Sequence, residues 1–236
     1  MKTALITGGS KGIGLGVAHT LKALGYGVAI TSRNREAAQE AERQLAQTEG
    51  GAVLALQADV RSLQDQQKAV DQILQEWGQL DVVVANAGLG HFAPVDEMDP
   101  AEFEKVVDTN LTGVFYTVKA TVEALKKTEG YLFTISSLAG TNFFAQGSAY
   151  NASKFGLTGF TQSIMLDLRP YGIKVATIMP GSVATHFNGH TPSPNDHWKI
   201  QPEDIGELIE DLLKLNSRTL PSKIEVRPSL PPSARK

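Results

Sequence analysis

Tyr150 and Lys154 stand four residues apart in a stretch whose apolar spacing reads as helix, and Ser137 lies thirteen positions upstream at the end of an apolar run. Residues i and i+4 share a helix face, so the Lys154 ammonium can approach the Tyr150 phenol and favour its ionised form. A free tyrosine titrates near ~10; bringing it to ~7 takes about 3 units, or roughly 4 kcal/mol. One cation rarely supplies all of that. The trio therefore asks for a second positive charge, such as a bound cofactor would bring.

The N-terminus offers a seat for one. The run Thr3-Ala4-Leu5-Ile6-Thr7 is followed at once by Gly8-Gly9-Ser10-Lys11-Gly12-Ile13-Gly14, and then by Val17, Ala18, Leu21 and Leu24 at helical spacing. Strand, glycine turn, helix is the context that gives a glycine motif meaning. Glycines let the backbone approach a pyrophosphate, and the helix behind them presents unpaired N–H groups and a partial positive charge. Glycines at 8, 12 and 14 fit T-G-x-x-x-G-x-G rather than G-x-G-x-x-G. Together with Tyr150-x-x-x-Lys154, the chain resembles the short-chain dehydrogenase/reductase family.

The resemblance spans nearly the whole chain, because further signatures follow in order: Asp59-Val60, Asn86-Ala87-Gly88, Asn110-Leu111-Thr112-Gly113, Ile135-Ser136-Ser137 and Pro180-Gly181-Ser182-Val183-Ala184-Thr185. It implies a nicotinamide cofactor and hydride transfer at a carbonyl or alcohol carbon. Tyr150 would exchange the proton and Ser137 would orient the carbonyl oxygen. Lys154 would lower the Tyr150 pKa and bind the nicotinamide ribose, while Asn110 would hold a water through its helix backbone. Ser137 is preferred to Ser136 by its spacing to Gly140 and Tyr150. The resemblance gives the cofactor Thr7, Gly8, Ser10, Lys11, Gly12, Ile13 and Gly14 in the turn. Further along it adds Asp59 and Val60 beside the adenine, then Asn86, Ala87 and Gly88. Pro180, Gly181, Val183 and Thr185 follow the sixth strand, Thr185 toward the nicotinamide carboxamide.

Charge distinguishes the two nicotinamide cofactors. NAD-specific folds place an acid at the end of the second strand to accept from the ribose hydroxyls. Here that position reads Thr31-Ser32-Arg33-Asn34-Arg35, with no acid before Glu36. Ser32 and Arg33, aided by Lys11 and with Arg35 as a further candidate, suit a ribose phosphate, so the expected cofactor is NADP(H).

The elements that must position these residues are seven short apolar runs at 3–7, 27–31, 53–57, 81–85, 130–136, 174–179 and 223–227. Helical patterns alternate with them, notably at 62–77, 100–127 and 149–168. This alternation predicts an α/β fold, a single Rossmann-type doubly wound parallel sheet in the order 3-2-1-4-5-6-7 with helices on both faces. One catalytic domain over 1–236 is expected, with a substrate lid at about 185–200 carrying Phe187 and Trp198. The Pro-rich stretch at 228–236 reads as a rigid tail rather than a polyproline ligand.

Composition narrows the function classes. A net charge of -3 gives no reason to expect nucleic acid or an anionic membrane as partner, and the absence of cysteine excludes disulfides, thiolate metal sites and catalytic thiols. His186, His190 and His197 lie in a Pro- and Gly-broken loop, and no metal is expected there. No apolar run is long enough to span a membrane and no leader precedes the first strand, so cytoplasmic residence is expected. The expected activity is NADPH-dependent reduction of a small or medium ketone or aldehyde. A β-ketoacyl-thioester reductase is the alternative, and a non-catalytic NADP sensor or scaffold the alternative of another class. The helices at 100–127 and 149–168 carry surplus apolar residues, Val114, Phe115, Val118 and Val122 on the first and Phe155, Leu157, Phe160 and Ile164 on the second, and their family equivalents pair across a two-fold axis. A homodimer or homotetramer is therefore expected. The short tail departs from the glycine-rich ending of ketoacyl reductases, so their tetramer interface is not carried over.

Overall fold

In a computed structural model that describes residues 1–230, seven strands form one parallel sheet in the order β3-β2-β1-β4-β5-β6-β7. They are β1 Thr3–Thr7, β2 Gly27–Ser32, β3 Val53–Gln57, β4 Val82–Ala85, β5 Tyr131–Ile135, β6 Lys174–Pro180 and β7 Lys223–Val226. The helices are α1 Gly12–Ala23, α2 Arg35–Ala46, α3 Leu63–Trp77, α4 Pro100–Val107, α5 Gly113–Thr128, α6 Ser148–Leu168 and α7 Pro202–Lys214. The predicted strand order holds, and every strand boundary falls within one residue of its expected place.

The strands read as unbroken apolar runs because both sheet faces are covered. Alternate residues feed opposite layers. Ile6, Ile30, Phe133 and Ile178 meet Val17 and Leu21 of α1 and Ile205 and Ile209 of α7 on one side. Leu5, Ala29, Val83 and Leu132 meet Ile73 of α3, Val114 of α5 and Leu157 of α6 on the other. Leu24, assigned to the helical stripe of α1 from its spacing, lies past the helix end and is exposed. Val114, Val118 and Leu157, expected to be surplus to the buried face, instead fill the second of these layers, because α5 and α6 both lie against the sheet there.

The expected helix over 100–127 is not continuous. A π-helical turn at Asp108–Thr112 separates α4 from α5, with Gly113 N–H reaching back to Asp108 O. Such an insertion widens the backbone by one residue and gathers at functional sites; here it contains Asn110. Between α6 and β6, and between β6 and α7, short 3-10 turns fill the connections. Of the Pro-rich stretch, Pro231 to Lys236 lies outside the described residues. Strand order reverses between β1 and β4, which opens a crevice beyond their C-terminal ends.

Candidate active site

The crevice is built from the two strands that flank it. Thr7 ends β1, and its Oγ1 accepts from Asn86 N at 3.0 Å and Ala87 N at 3.1 Å. Asn86 Nδ2 returns the tie by donating to Thr7 O at 2.9 Å and Gly8 O at 3.1 Å. Gly8 and Gly12 adopt φ values of 65° and 56°, which L side chains rarely accept. A Cβ on Gly14 would stand 2.5 Å from both Asn86 Nδ2 and Gly8 O. The α1 N-terminus therefore packs tightly under the turn. Lys11 at its N-cap makes no side-chain cap and the first turn carries no acid, so unpaired N–H groups and the helix dipole suit an anion there.

A cavity of about 730 Å³ runs along this edge, lined by Ser10, Lys11, Gly12 and Ile13 on the turn and by Ser32 and Arg33 at the end of β2. Ala58, Val60, Ala87, Gly88, Pro180, Gly181, Val183 and Thr185 continue it toward Ser137, Tyr150 and Lys154. Thr7, Gly14, Asp59 and Asn110, expected in the site, and Arg35, expected near the ribose phosphate, do not line it. Asp59, expected beside the adenine, turns to Arg61, whose Nη2 donates to Oδ2 at 2.7 Å. The Arg61 side chain, and more distantly Arg33, hold its carboxyl below the ordinary range.

Ser137, Tyr150 and Lys154 meet at the far end. Ser136 is buried and donates to Lys154 O at 3.2 Å while sharing a hydrogen bond with Thr158 Oγ1 at 2.9 Å. Ser137 instead faces Tyr150: burial pushes the Tyr150 phenol up, and a hydrogen bond with Ser137 partly offsets this. Lys154 is not among the groups that lower it, against the expectation from their spacing. Its Nζ donates to Ile135 O at 2.8 Å and lies 5.8 Å from the centre of the Tyr150 ring. Burial lowers the Lys154 pKa to about 8. The site as it stands holds a neutral phenol, suited to give a proton away, beside a cation that surrenders its own proton easily.

Asn110 is fully buried. Its Oδ1 accepts from Leu89 N at 2.9 Å, and its Nδ2 donates to Leu89 O at 2.8 Å and Ser153 Oγ at 3.0 Å. Its side chain thus clamps the Asn86–Leu89 loop to α6, one residue from Lys154.

The segment after β6 arches over the cavity. Ala184 N donates to Ile200 O at 2.9 Å and Ile200 N to Ser182 O at 3.1 Å, which pins its two ends. Between them Asp196 accepts from Lys199 Nζ at 2.6 Å and Ser193 N at 3.0 Å, and pairs with His190 Nε2 at 2.8 Å. These contacts hold its carboxyl far below the ordinary range. His197 Nδ1 lies 3.0 Å from Pro194 O, so His190 and His197 have separate partners; no group of three or more potential ligands occurs among the described residues. His190 and Lys199, within the segment expected as a lid, also line the cavity; Leu89, Gly90 and Thr109 line it too and were not foreseen. Nor were Phe92, whose ring adjoins Tyr150, and Phe144, whose ring adjoins Phe92. They come from loops without periodicity, where a lone phenylalanine carries no signal.

The sequence profile described as short chain dehydrogenase matches residues 2–196. An oxidoreductase of Staphylococcus aureus is 30% identical over 228 residues, covering 96% of this chain and 97% of its own. An alcohol dehydrogenase of the archaeon Thermococcus sibiricus, solved with 5-hydroxy-NADP, superposes with a TM-score of 0.91 at 30% identity over 97% of each chain. A 3-ketoacyl-ACP reductase of Sinorhizobium meliloti gives 0.86 at 31% identity, over 95% of this chain and 97% of its own.

Proposed function

The chain belongs to the short-chain dehydrogenase family of oxidoreductases, and we propose that within it this protein is an NADP(H)-dependent reductase of small or medium ketones and aldehydes. The observation that carries the reading is the arrangement of one cavity: Tyr150, Ser137 and Lys154 at one end, Arg33, Ser32 and Lys11 at the other. The lining fits a dinucleotide. Two glycines at positive φ bare the turn, the α1 N-terminus is uncapped, and the buried hydroxyls Thr31 Oγ1 and Thr109 Oγ1 have no hydrogen-bond partner among the described residues. The NADP complex of the Thermococcus enzyme supports the same choice.

The residues divide the work. Arg33 and Lys11 would hold the ribose phosphate, the glycine turn the pyrophosphate, and Lys154 the nicotinamide ribose. When bound, the reduced cofactor supplies a hydride to the carbonyl carbon. Tyr150 gives its proton to the carbonyl oxygen, completing the alcohol, and Ser137 fixes that oxygen by a hydrogen bond. Lys154, titrating near 8, is placed to return a proton to Tyr150 near neutral pH. Asn110 positions Lys154 through Leu89 and Ser153. A carrier-bound thioester is less well served: the sequence offers a carrier phosphate only scattered lysines such as Lys105 and Lys119, and Lys105 is tied to Glu102 at 3.0 Å.

NADPH absorbance followed over a panel of ketones and aldehydes tests the reading. Turnover is expected, and Tyr150→Phe should lower kcat at least ~100-fold with NADPH affinity nearly unchanged. Near wild-type turnover in that variant would remove Tyr150 from the proposed role.

A further inference from the structure

Phe92 and Phe187 flank Tyr150 and a third phenylalanine, Phe144, backs Phe92; each arrives from a different loop. Phe92 follows β4, Phe144 precedes α6, and Phe187 lies in the segment after β6. The Phe92 ring centre is 5.5 Å from that of Tyr150, edge-on at 70°, and 5.7 Å from that of Phe144. Phe187 lies 5.5 Å from Tyr150 and 6.4 Å from Phe92. None of the three phenylalanines belongs to either layer of the core.

The rings are not held alike. Ala93 N donates to Gln146 O at 3.0 Å, joining the loop of Phe92 to that of Phe144. The buried Asn151 fixes the second loop by donating to Ala139 O and Asn142 O, each at 2.8 Å. Phe187 rests instead on bare backbone, since a Cβ on Gly90 would stand 2.6 Å from its Cζ. Its segment is anchored at the ends, Ser182–Ala184 and Ile200, and otherwise to itself through Asp196. Two aromatic walls are thus fixed to the body of the protein and a third is seated on a glycine in a tethered arch. Of the polar side chains lining this part of the arch, His190 and Lys199 are both engaged by Asp196, and His186 stands beside Phe187.

We propose that the substrate carbonyl carries an aryl or similarly flat apolar group, which takes the place of the Phe187 ring against Phe92 and Tyr150 when the arch swings outward. The inference rests on the reductase reading above. A flat apolar group regains the edge and face contacts that Phe187 gives up, whereas a short alkyl chain regains few. The Gly90 backbone, with no Cβ, leaves the space through which the ring passes.

The test compares kcat/KM for benzaldehyde and butanal with NADPH in wild type and Phe92→Ala. Benzaldehyde should be preferred about tenfold or more, as a pair of ring contacts implies, and Phe92→Ala should reduce the preference by a similar factor. Saturation-transfer NMR gives a readout independent of turnover: with the Tyr150→Phe protein and NADP, the aryl protons of 1-phenylethanol should receive saturation, and those of 2-butanol should receive little. Turnover of both aldehydes at similar efficiency, or an aryl preference untouched by Phe92→Ala, would overturn the inference and leave the reductase reading standing. Failure to reduce any carbonyl despite NADPH binding would overturn the reductase reading, and this inference with it.

Discussion

Lys154 shows how a site residue can stand against the stability of its own fold. The spacing Tyr150-x-x-x-Lys154 was legible in the sequence, and the structure brings both to one end of the cavity; their electrostatics were not legible, because burial is a property of the packed chain. The lysine titrates near 8 when folded and near ~10.4 when unfolded, so burying its charge costs about 3 kcal/mol below pH 8. Between pH 8 and about 10.5 the unfolded chain binds more protons than the folded one, so this penalty fades as pH rises. Lys154→Met should therefore be more stable than wild type in denaturant unfolding at pH 7, with an advantage that shrinks toward pH 10.5, while its turnover collapses. An advantage that does not change with pH would mean the charge is not what burial opposes. Arg33 was legible for a different reason: its position is set by the end of β2, and the missing acid is a fact of sequence. Arg33→Ala should cost about 1.5 to 3 kcal/mol of NADPH binding, roughly 10- to 150-fold, with NADH affinity little altered. Equal affinities for the two cofactors in wild type would undercut the charge argument.

At the level of elements, strands were easier to read than helices, since a parallel strand covered on both faces is a bare apolar run with turn residues at each end. The helix over 100–127 looked continuous because a π turn inserts a residue without disturbing composition. Only its packing shows that Gly113 sits against Val60, where a Cβ would come within 2.9 Å of Cγ2. Helix α7 buries Ile205, Ile209 and Leu212 behind the capping box of Gln201 and Asp204, and neither it nor its partner was singled out from the sequence. It crosses α1 at glycines: a Cβ on Gly206 would meet Thr20 Oγ1, and one on Gly16 would stand 2.5 Å from the Pro202 carbonyl carbon. Gly14 allows the sign of such an effect to be tested. Alanine normally gains up to about 1 kcal/mol over glycine inside a helix. Here the new methyl group would press on Gly8 O and Asn86 Nδ2, neither free to retreat, at an overpacking cost of about 1 to 3 kcal/mol. Gly14→Ala should lower the melting temperature and weaken NADPH binding together; a more stable variant would show that the turn yields.

Across the whole molecule, the face left over after the core is filled lies on α5 and α6. The outward stripe of α6 reads Ala152, Phe155, Gly159, Ser163 and Leu166, uncharged over four turns, while the one lysine in that span, Lys154, points inward to the site. Phe155 is 43% exposed and Leu166 56%, and on the neighbouring helix Phe115 is 46% exposed, its ring 6.3 Å from that of Phe160. Apolar side chains exposed together along two neighbouring helices are costly to leave in water. A two-fold axis is the simplest way to cover them, since a closed symmetric pair uses the same patch twice. The prediction is a homodimer, or a tetramer containing that dimer, at micromolar concentration by light scattering. Phe155→Lys should shift it toward monomer, because two copies of the new charge would face each other near the axis. The consequence for the site is specific: α6 carries Tyr150 and Lys154 on its inner face, so packing its outer face would stiffen the helix that holds the proton donor. The monomeric variant should then lose activity even though no residue in the cavity has changed. A wild type that remains monomeric, or a monomeric Phe155→Lys with full turnover, would detach assembly from the chemistry of the site.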